Sequence, residues 1–442
     1  MTDSTVPTAS RFWPARVVEW GLSLCVIAGI VWVAASFVKT GYLPQPFIYD
    51  TNDTFMDWFN TAYWTHHSGA YSVWRTVYPP LSFAFLKLTT IGACYRDSPF
   101  WARDCDWLSK AWIMGFFVLN LLLVARSYRA DDPATAPPRT IAMAIGLPML
   151  FALERGNLIL PCFTAFALAY GRLLKQAWIQ WTAVALTVNF KPYLILAIAP
   201  YLVRRRWRWL EGCAFAILGV YLIAYVATGA GTPMELYDNT RNWVQVVGAM
   251  FWGDIFYSTS FATLSAAMKE PIPLLIYLDS KIVDLVATGL PVLVHGGQAV
   301  VGLVFLASAF RPYVLSHART GALAMAFILT TQSPGGYSEV FLLFLVFFER
   351  AAGPARITAL VCAYLLCIPF DYILVTISQG ISHSWLSHRS VYFTFGLSVG
   401  QFVRPALILL IEYSLAFASL VTLFGGVARA PTAASVMAPA LQ

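Results

Sequence analysis

Charge is scarce in this chain. Of 442 residues only 12% are Asp, Glu, Lys or Arg, against 59% hydrophobic, and the mean hydropathy is +0.65. A soluble domain of this size needs far more charge on its surface, so a single water-soluble domain is excluded and a polytopic membrane protein is expected. Several catalytic signatures are also missing: there is no P-loop, no G-x-G-x-x-G after a strand, no G-x-S-x-G and no H-E-x-x-H. Nor is there a polar domain large enough to bind a nucleotide sugar, so an activated group must come from the lipid or the outer compartment. No internal repeat has a clear period, which counts against transporters built from duplicated halves. The net charge of +7 and pI near 9.0 would suggest nucleic acid in a soluble protein. Here the basic residues are expected to sort by membrane side, with no nucleic-acid partner.

What is present is a series of apolar stretches. A helix needs about 20 apolar residues to cross the hydrocarbon. The first, 17–38, follows Arg11 and Arg16 with no small-residue cleavage site after it and reads as a signal anchor. The segment 81–94 is short and carries Lys87, so it is expected to lie in the outer interface or re-enter from it. Further stretches at 107–125, 140–153, 158–173, 178–190, 193–203, 209–228, 282–309, 321–331, 340–348, 357–376 and 405–424 bring the expected count to about 12 crossings. The fold class is thus an all-α polytopic bundle, one transmembrane domain over 1–442, with both termini cytoplasmic. RRRWRW at 204–209 and the arginines of 311–319 read as cytoplasmic anchors. Three loops then fall outside, 39–106, 229–281 and 378–404, the last two expected to cap the outer face as amphipathic helices.

Seven cysteines make no framework. Five lie in or beside apolar stretches, whereas Cys94 and Cys105 share the first outer loop and close a short ring around SPFWARD, a disulfide candidate in an oxidising compartment.

Chemistry concentrates in the first outer loop. Asp50, Asp53 and Asp57 stand within a few residues of one another, ahead of His66 and His67. Asp50 and Asp53 sit in YDTNDT, well suited to capping a helix that begins near Phe55, and Asp53 is assigned that role. Asp57 lies one turn further on, where it caps nothing, and is the candidate general base for drawing a proton from a sugar hydroxyl. The three carboxylates also permit a divalent cation, with Asp50 and Asp53 as candidate ligands, but the spacing fits no loop motif and no cofactor is required. Charges at the ends of apolar stretches need partners. Glu154 and Arg155 are able to pair with each other. Lys191, wedged before Pro192, with Arg155 and Arg404 would supply counter-charge for a lipid-linked phosphate. His66 and His67, and more weakly His383, His388 and Arg389, are further candidates. The polar turns ERGN (154–157), NFKPY (189–193) and TQSPGGYSE (331–339) are expected on one face, which adds Asn157 and Glu339 to the candidate substrate-binding set together with Tyr78 of YPPL.

The pattern Asp57, Ala62, Gly69, Tyr71, Tyr78-Pro79-Pro80-Leu81, then ERGN, FKPY and SPGGYSE resembles the family 87 glycosyltransferases of the GT-C superfamily, which include mycobacterial mannosyltransferases using polyprenyl-phosphate-mannose. The resemblance implies a GT-C fold, a catalytic aspartate carried over to Asp57, the FKP lysine carried over to Lys191, a polyprenyl-phosphate sugar donor, inversion at the anomeric carbon and a lipid-linked or cell-envelope glycan acceptor. It places the protein among membrane lipids in a bacterial inner membrane, active on the periplasmic side. One departure is Glu339, which stands where those members carry a histidine. A lipid-linked saccharide transporter, or a glycan polymerase or ligase with a diphosphate-linked donor, are the competing expectations.

Overall fold

A computed structural model describes residues 13–47, 50–247, 259–261, 279–331 and 334–425. Arg11, both chain ends, most of 248–278, and Gln332 and Ser333 of the TQSPGGYSE turn lie outside the described residues. The chain opens with α1 (Trp13–Thr40), whose far end leads into a polar region holding α2 (Met56–Thr65), α3 (Pro80–Thr89) and α4 (Pro99–Cys105). There follow α5 (Trp107–Asp131), α6 (Ala136–Ile145), α7 (Leu147–Arg155), α8 (Ile159–Tyr170) and α9 (Ala177–Phe190). A 3-10 stretch, Pro192–Ile198, runs into α10 (Ala199–Val203), then α11 (Trp207–Thr228) and α12 (Pro233–Val247). The remainder is α13 (Ser280–Phe310), α14 (His317–Thr331), α15 (Glu339–Val346), α16 (Pro354–Leu366), a β-hairpin and α17 (Gly400–Phe424).

Six described helical segments are long and apolar enough to cross a membrane: Arg16–Thr40, Trp107–Asp131, Ala136–Arg155, Trp207–Thr228, Ser280–Phe310 and Gly400–Phe424. The protein is a helical membrane protein. The expected twelve full-length crossings are not what the helix lengths give, because several apolar segments are short: Ile159–Tyr170, Pro192–Val203, Gly336–Val346 and Pro354–Leu366. Burial explains the difference. Helix α8 is buried along almost its whole length and α15 along all of it, so they pack inside protein rather than against lipid, and a length set by the bilayer does not constrain them. The long helices α11 and α13 instead turn Ile223, Val226 and Leu285 outward, each more than 70% exposed. Apolar surface of that extent suits contact with lipid.

The core joins α8, α14, α15 and α16 through Phe163, Phe166, Leu323, Phe341, Phe344 and Tyr364. Phe166 and Phe163 meet Phe341 and Phe344 with ring centroids 5.0 to 6.1 Å apart. Gly146 separates α6 from α7, where a Cβ would strike the Ala142 carbonyl and the Cys367 side chain. Leu147 then donates its N–H to the Cys367 carbonyl at 2.9 Å. The kink aims α7 at α2.

The all-α expectation fails in one place. Residues 378–404, expected as amphipathic helix, instead hold most of an antiparallel hairpin of β1 (Ile373–Ser384) and β2 (Arg389–Ser398). The stretch 357–376 is not one helix either, since α16 stops at Leu366 and Pro369 follows. Both strands are rich in β-branched and aromatic residues, and the WLSH turn places His388 in the left-handed region, φ 52°. Gln45 extends the hairpin sideways, its amide pairing both polar groups of Gly396 at 2.7 and 3.0 Å. In 229–281 the described part includes α12, whose Asn239 amide donates to the Tyr71 and Thr76 carbonyls. Helix α3, ten residues long, packs on α2, α9 and α11, too short to cross a bilayer.

At the end remote from the hairpin, two buried ionic networks tie helices together. Arg139 forms two bonds of 2.8 Å to Glu19, whose carboxylate also accepts from Tyr364. Glu349 receives Arg319 through two bonds and Arg356 through a third. Removing one partner of such a pair strands a buried charge. Glu19→Ala should therefore cost about 3–5 kcal/mol, and a second change, Arg139→Leu, should recover most of the loss. Unfolding of the detergent-solubilised variants checks this; an unchanged melting temperature for the single variant would remove the pair from the framework.

Candidate functional site

The site is assembled where α7 meets the first polar loop. Helix α7 ends at Arg155, and Gly156 turns the chain in the left-handed conformation, φ 59°. Only glycine fits, since a Cβ there would lie about 3.0 Å from the Phe55 backbone. That close approach lets Phe55 donate its N–H to the Glu154 carbonyl at 2.7 Å. Asn157 then faces two ways: its carbonyl oxygen accepts the Ile159 N–H at 2.9 Å, starting α8, while its NH2 donates to Asp57 Oδ2 at 2.6 Å.

Asp57 sits in the first turn of α2, its side chain 20% exposed. Arg155 donates to its Oδ1 at 2.7 Å and, through the other terminal nitrogen, to Asp53. Among the described residues each Asp57 oxygen thus holds one hydrogen bond, which leaves a second lone pair able to accept another proton. Asp53 does not cap α2, contrary to the sequence expectation. The residue before the helix is Phe55, in the left-handed region at φ 65° and without a side-chain cap, because the chain is bent there to reach α7. The Asp53 carboxylate goes to Arg155 instead. Burial raises the Asp53 carboxyl above its ordinary value, with Arg155 opposing the shift. The expected Glu154–Arg155 pair is likewise replaced: Glu154 accepts from the Thr54 hydroxyl at 3.1 Å. Successive side chains of a helix end diverge, which frees Arg155 to span two aspartates.

Tyr78 closes one side. Its phenol bonds Asn157 and Thr61, and burial, reinforced by the Asp57 charge, pushes it well above its ordinary value. Lys191 follows α9, and its Nζ lies 4.4 Å from the Tyr78 ring centre. Among the described residues it forms no ion pair. Tyr337, from SPGGYSE, lies within the field of Asp57, Lys191, Tyr78 and Arg155. Next to it, Ser338 meets the Tyr193 hydroxyl at 3.1 Å. The three polar turns therefore meet. Counted as ionised, Asp53 and Asp57 are balanced by Arg155 and Lys191, and the two positive charges differ: Arg155 is committed to carboxylates, Lys191 to an aromatic face.

Other expected residues lie apart. Glu339 is 1% exposed behind the Tyr337 turn, with neither carboxylate oxygen bonded among the described residues. Arg404 pairs with Asp371 at 2.9 Å, and Asp371 also accepts from Ser398 and Gly400 at the hairpin base. The cation set of Lys191, Arg155 and Arg404 thus reduces to the first two. His66 bonds Thr90 at 2.8 Å and stacks on Tyr95, while His67 bonds the Tyr63 carbonyl and stacks on that ring. Asp50 accepts the Asn52 N–H, a local turn. His383 lends its carbonyl to Thr51. Among the described residues no three His, Cys, Asp or Glu side chains converge as metal ligands.

The loop carrying Asp57 is held from behind. A disulfide joins Cys94 to Cys105, and Asp106 caps α5 while accepting from Ile91, Tyr95 and Ser109. Arg103, 2% exposed, donates to the Asn52 and Thr54 carbonyls and to the Asn52 side chain. Its guanidinium lies 4.6 Å from the ring centre of Trp385 at the hairpin tip, and the Trp385 indole donates to Asp104 at 2.7 Å. Sequence reading missed Arg103, Tyr337 and Trp385. Arg103 sits between Ala102 and Asp104 in a polar patch with no periodicity to mark it, and only the cost of burying a charge would have flagged it.

No protein-family model matches the chain, and neither a curated protein nor a solved structure does.

Burial lowers the His66 imidazole below its ordinary value, with His67 and Lys87 adding to the effect. At His66 the opened loop binds a proton more readily than the closed one, so this residue's contribution to closure is lost as pH falls below about 6.5. Amide exchange across α2, corrected for its intrinsic rate, should quicken between about pH 7.5 and 5.5. His66→Gln should flatten that response; an unchanged response would exclude His66 as its source.

Proposed function

We propose that this protein is a membrane glycosyltransferase of the GT-C type, moving a sugar such as mannose from a polyprenyl phosphate to a lipid-linked or cell-envelope glycan. The observation that carries the reading is the pairing of a twice-held, part-exposed Asp57 with Lys191, a cation with no ion-pair partner among the described residues. The resemblance of the turn motifs to family 87 agrees with it. On this reading the six long apolar helices and the shorter apolar ones among them lie in a bacterial inner membrane, with the termini in the cytoplasm and the site on the periplasmic face.

The chemistry is a direct displacement. Asp57 takes the proton of the acceptor hydroxyl as that oxygen bonds to the anomeric carbon. The bond from that carbon to the phosphate oxygen breaks, and the polyprenyl phosphate leaves with the electron pair, inverting the centre. Arg155 and Asn157 orient the carboxylate, which fixes the direction of its free lone pairs. Lys191 meets the charge gathering on the leaving phosphate, at a place where Tyr78 and Tyr337 limit water. Arg155 is a positioning residue, since its terminal nitrogens already serve two aspartates.

Asp57→Asn keeps the shape and removes the base, so turnover with a polyprenyl-phosphate sugar should fall about 10²- to 10⁴-fold with the fold intact. Wild-type turnover by that variant would end the proposed mechanism. Lys191→Met should weaken donor binding about 10- to 100-fold, the span of one charge-assisted contact, and change acceptor KM little. Donor affinity left unaltered would take Lys191 out of the site. A panel of polyprenyl-phosphate sugars, scored for polyprenyl phosphate release, tests the donor class.

A further inference from the structure

The segment Pro192–Val203 has chemistry at both ends. Lys191 precedes it at the site, and Arg204, Arg205 and Arg206 follow it roughly 20 Å away, from a rise of about 1.5–2 Å per residue. Along its flank, against α13 and α14, lies an apolar cavity of about 500 Å³. Leu196, Val203, Gly302, Phe305 and Phe327 are among its walls. Leu196 and Leu202 are 40% and 49% exposed, so the cavity opens sideways along an outer face of the bundle, toward lipid. Space there is open at Gly302, where an added Cβ would meet no atom within 4 Å.

The mouth is cationic. Arg205 lines the cavity and donates to the Ala309 carbonyl at 2.9 Å, while Arg204 donates to the Leu315 carbonyl at 2.6 Å. Arg205, Arg206 and Arg208 are exposed, as is Trp207, which also lines the cavity. None of these arginines forms an ion pair among the described residues, although Glu211 is one helical turn away. An exposed tryptophan between arginines is the composition of a membrane interface. An acyl chain gains little by leaving other acyl chains for an apolar groove, so the groove alone selects nothing and selectivity must come from the head group. A phosphate carrying one net negative charge suits this mouth, and a zwitterionic head group adds an ammonium that the arginines repel.

We infer that the groove between Pro192–Val203, α13 and α14 is a binding site for an anionic phospholipid of the surrounding bilayer, one acyl chain in the cavity and the phosphate at Arg205 and Arg206. The occupant is not the sugar donor, whose phosphate belongs at Lys191 on the other end of the same segment. The site does not depend on the proposed transfer reaction. It gives that segment a lipid contact at one end and a catalytic lysine at the other.

Native mass spectrometry of the delipidated full-length protein, offered phosphatidylglycerol and phosphatidylcholine with identical chains in equal amounts, tests the inference. Phosphatidylglycerol should be retained about 25-fold over phosphatidylcholine, about fivefold for each of the two arginines. Arg205→Gln should lower that preference about fivefold, the effect of one basic residue near an anionic lipid, and Arg205→Gln with Arg206→Gln should bring it close to parity. Gly302→Leu fills the open space and should release the bound lipid with no loss of thermal stability. Equal retention of the two lipids, or a preference that survives the double arginine change, would overturn the assignment. Displacement of phosphatidylglycerol from the wild-type protein by low concentrations of a polyprenyl phosphate would also overturn it and give the groove to the carrier lipid.

Discussion

One guanidinium holding two carboxylates is the constraint around which the polar end is built. Asp53 and Asp57 repel each other, and without Arg155 their loop would have to open or take up a proton. Bringing the cation to them requires that α7 end at the level of α2, that the chain reverse immediately, and that the Phe55 backbone be approached closely. Gly156 satisfies the second and third demands, and the Gly146 kink the first. Asn157 then holds the second oxygen of Asp57, and Tyr78 backs Asn157. The position of the candidate base is thus over-determined by backbone geometry from two distant parts of the chain.

Some of this was legible in the sequence and some was not, for physical reasons. The polar turns ERGN and FKPY stand out because charge at the edge of an apolar stretch is costly, and that same cost forces them to meet partners, as Arg155 and Asn157 do. Asp57 was separable from its neighbours because it lies inside a helix where no cap is needed. Asp53 misled because YDTNDT has the composition of a helix start, yet tertiary contact with Arg155 outweighed about 1 kcal/mol of capping. The hairpin was hidden for a related reason: residues that alternate in a strand are apolar enough to pass for helix when the neighbouring segments are all helical. Helix lengths were unreadable wherever protein, rather than lipid, surrounds the segment, as around α8 and α15.

The two ends of the bundle solve opposite electrostatic problems. At the remote end, Glu19 is buried against Arg139 and Glu349 against Arg319 and Arg356, and each carboxylate oxygen accepts at least one bond. At the site end the balance is kept by Lys191 resting on a tyrosine face, an arrangement that leaves its charge free to change partners. A network that is fully satisfied specifies structure, whereas one with a loosely held cation is able to accept an anion without first breaking an ion pair.

The separation of the site's parts along the chain has a consequence for biogenesis. Asp57 and Arg155 are 98 residues apart, and Thr51 reaches its hairpin partner His383 across 332. At roughly 5–20 residues per second of synthesis, the aspartates wait about 5–20 s for their cation and longer for the hairpin. Through that interval the first polar loop is a pair of unneutralised acids on a tethered segment, without the cation that fixes Asp57. The arrangement around Asp57 is therefore incomplete until α7 has been delivered. The hairpin tip, synthesised later than α7, is the last of these pieces to lock the loop in place.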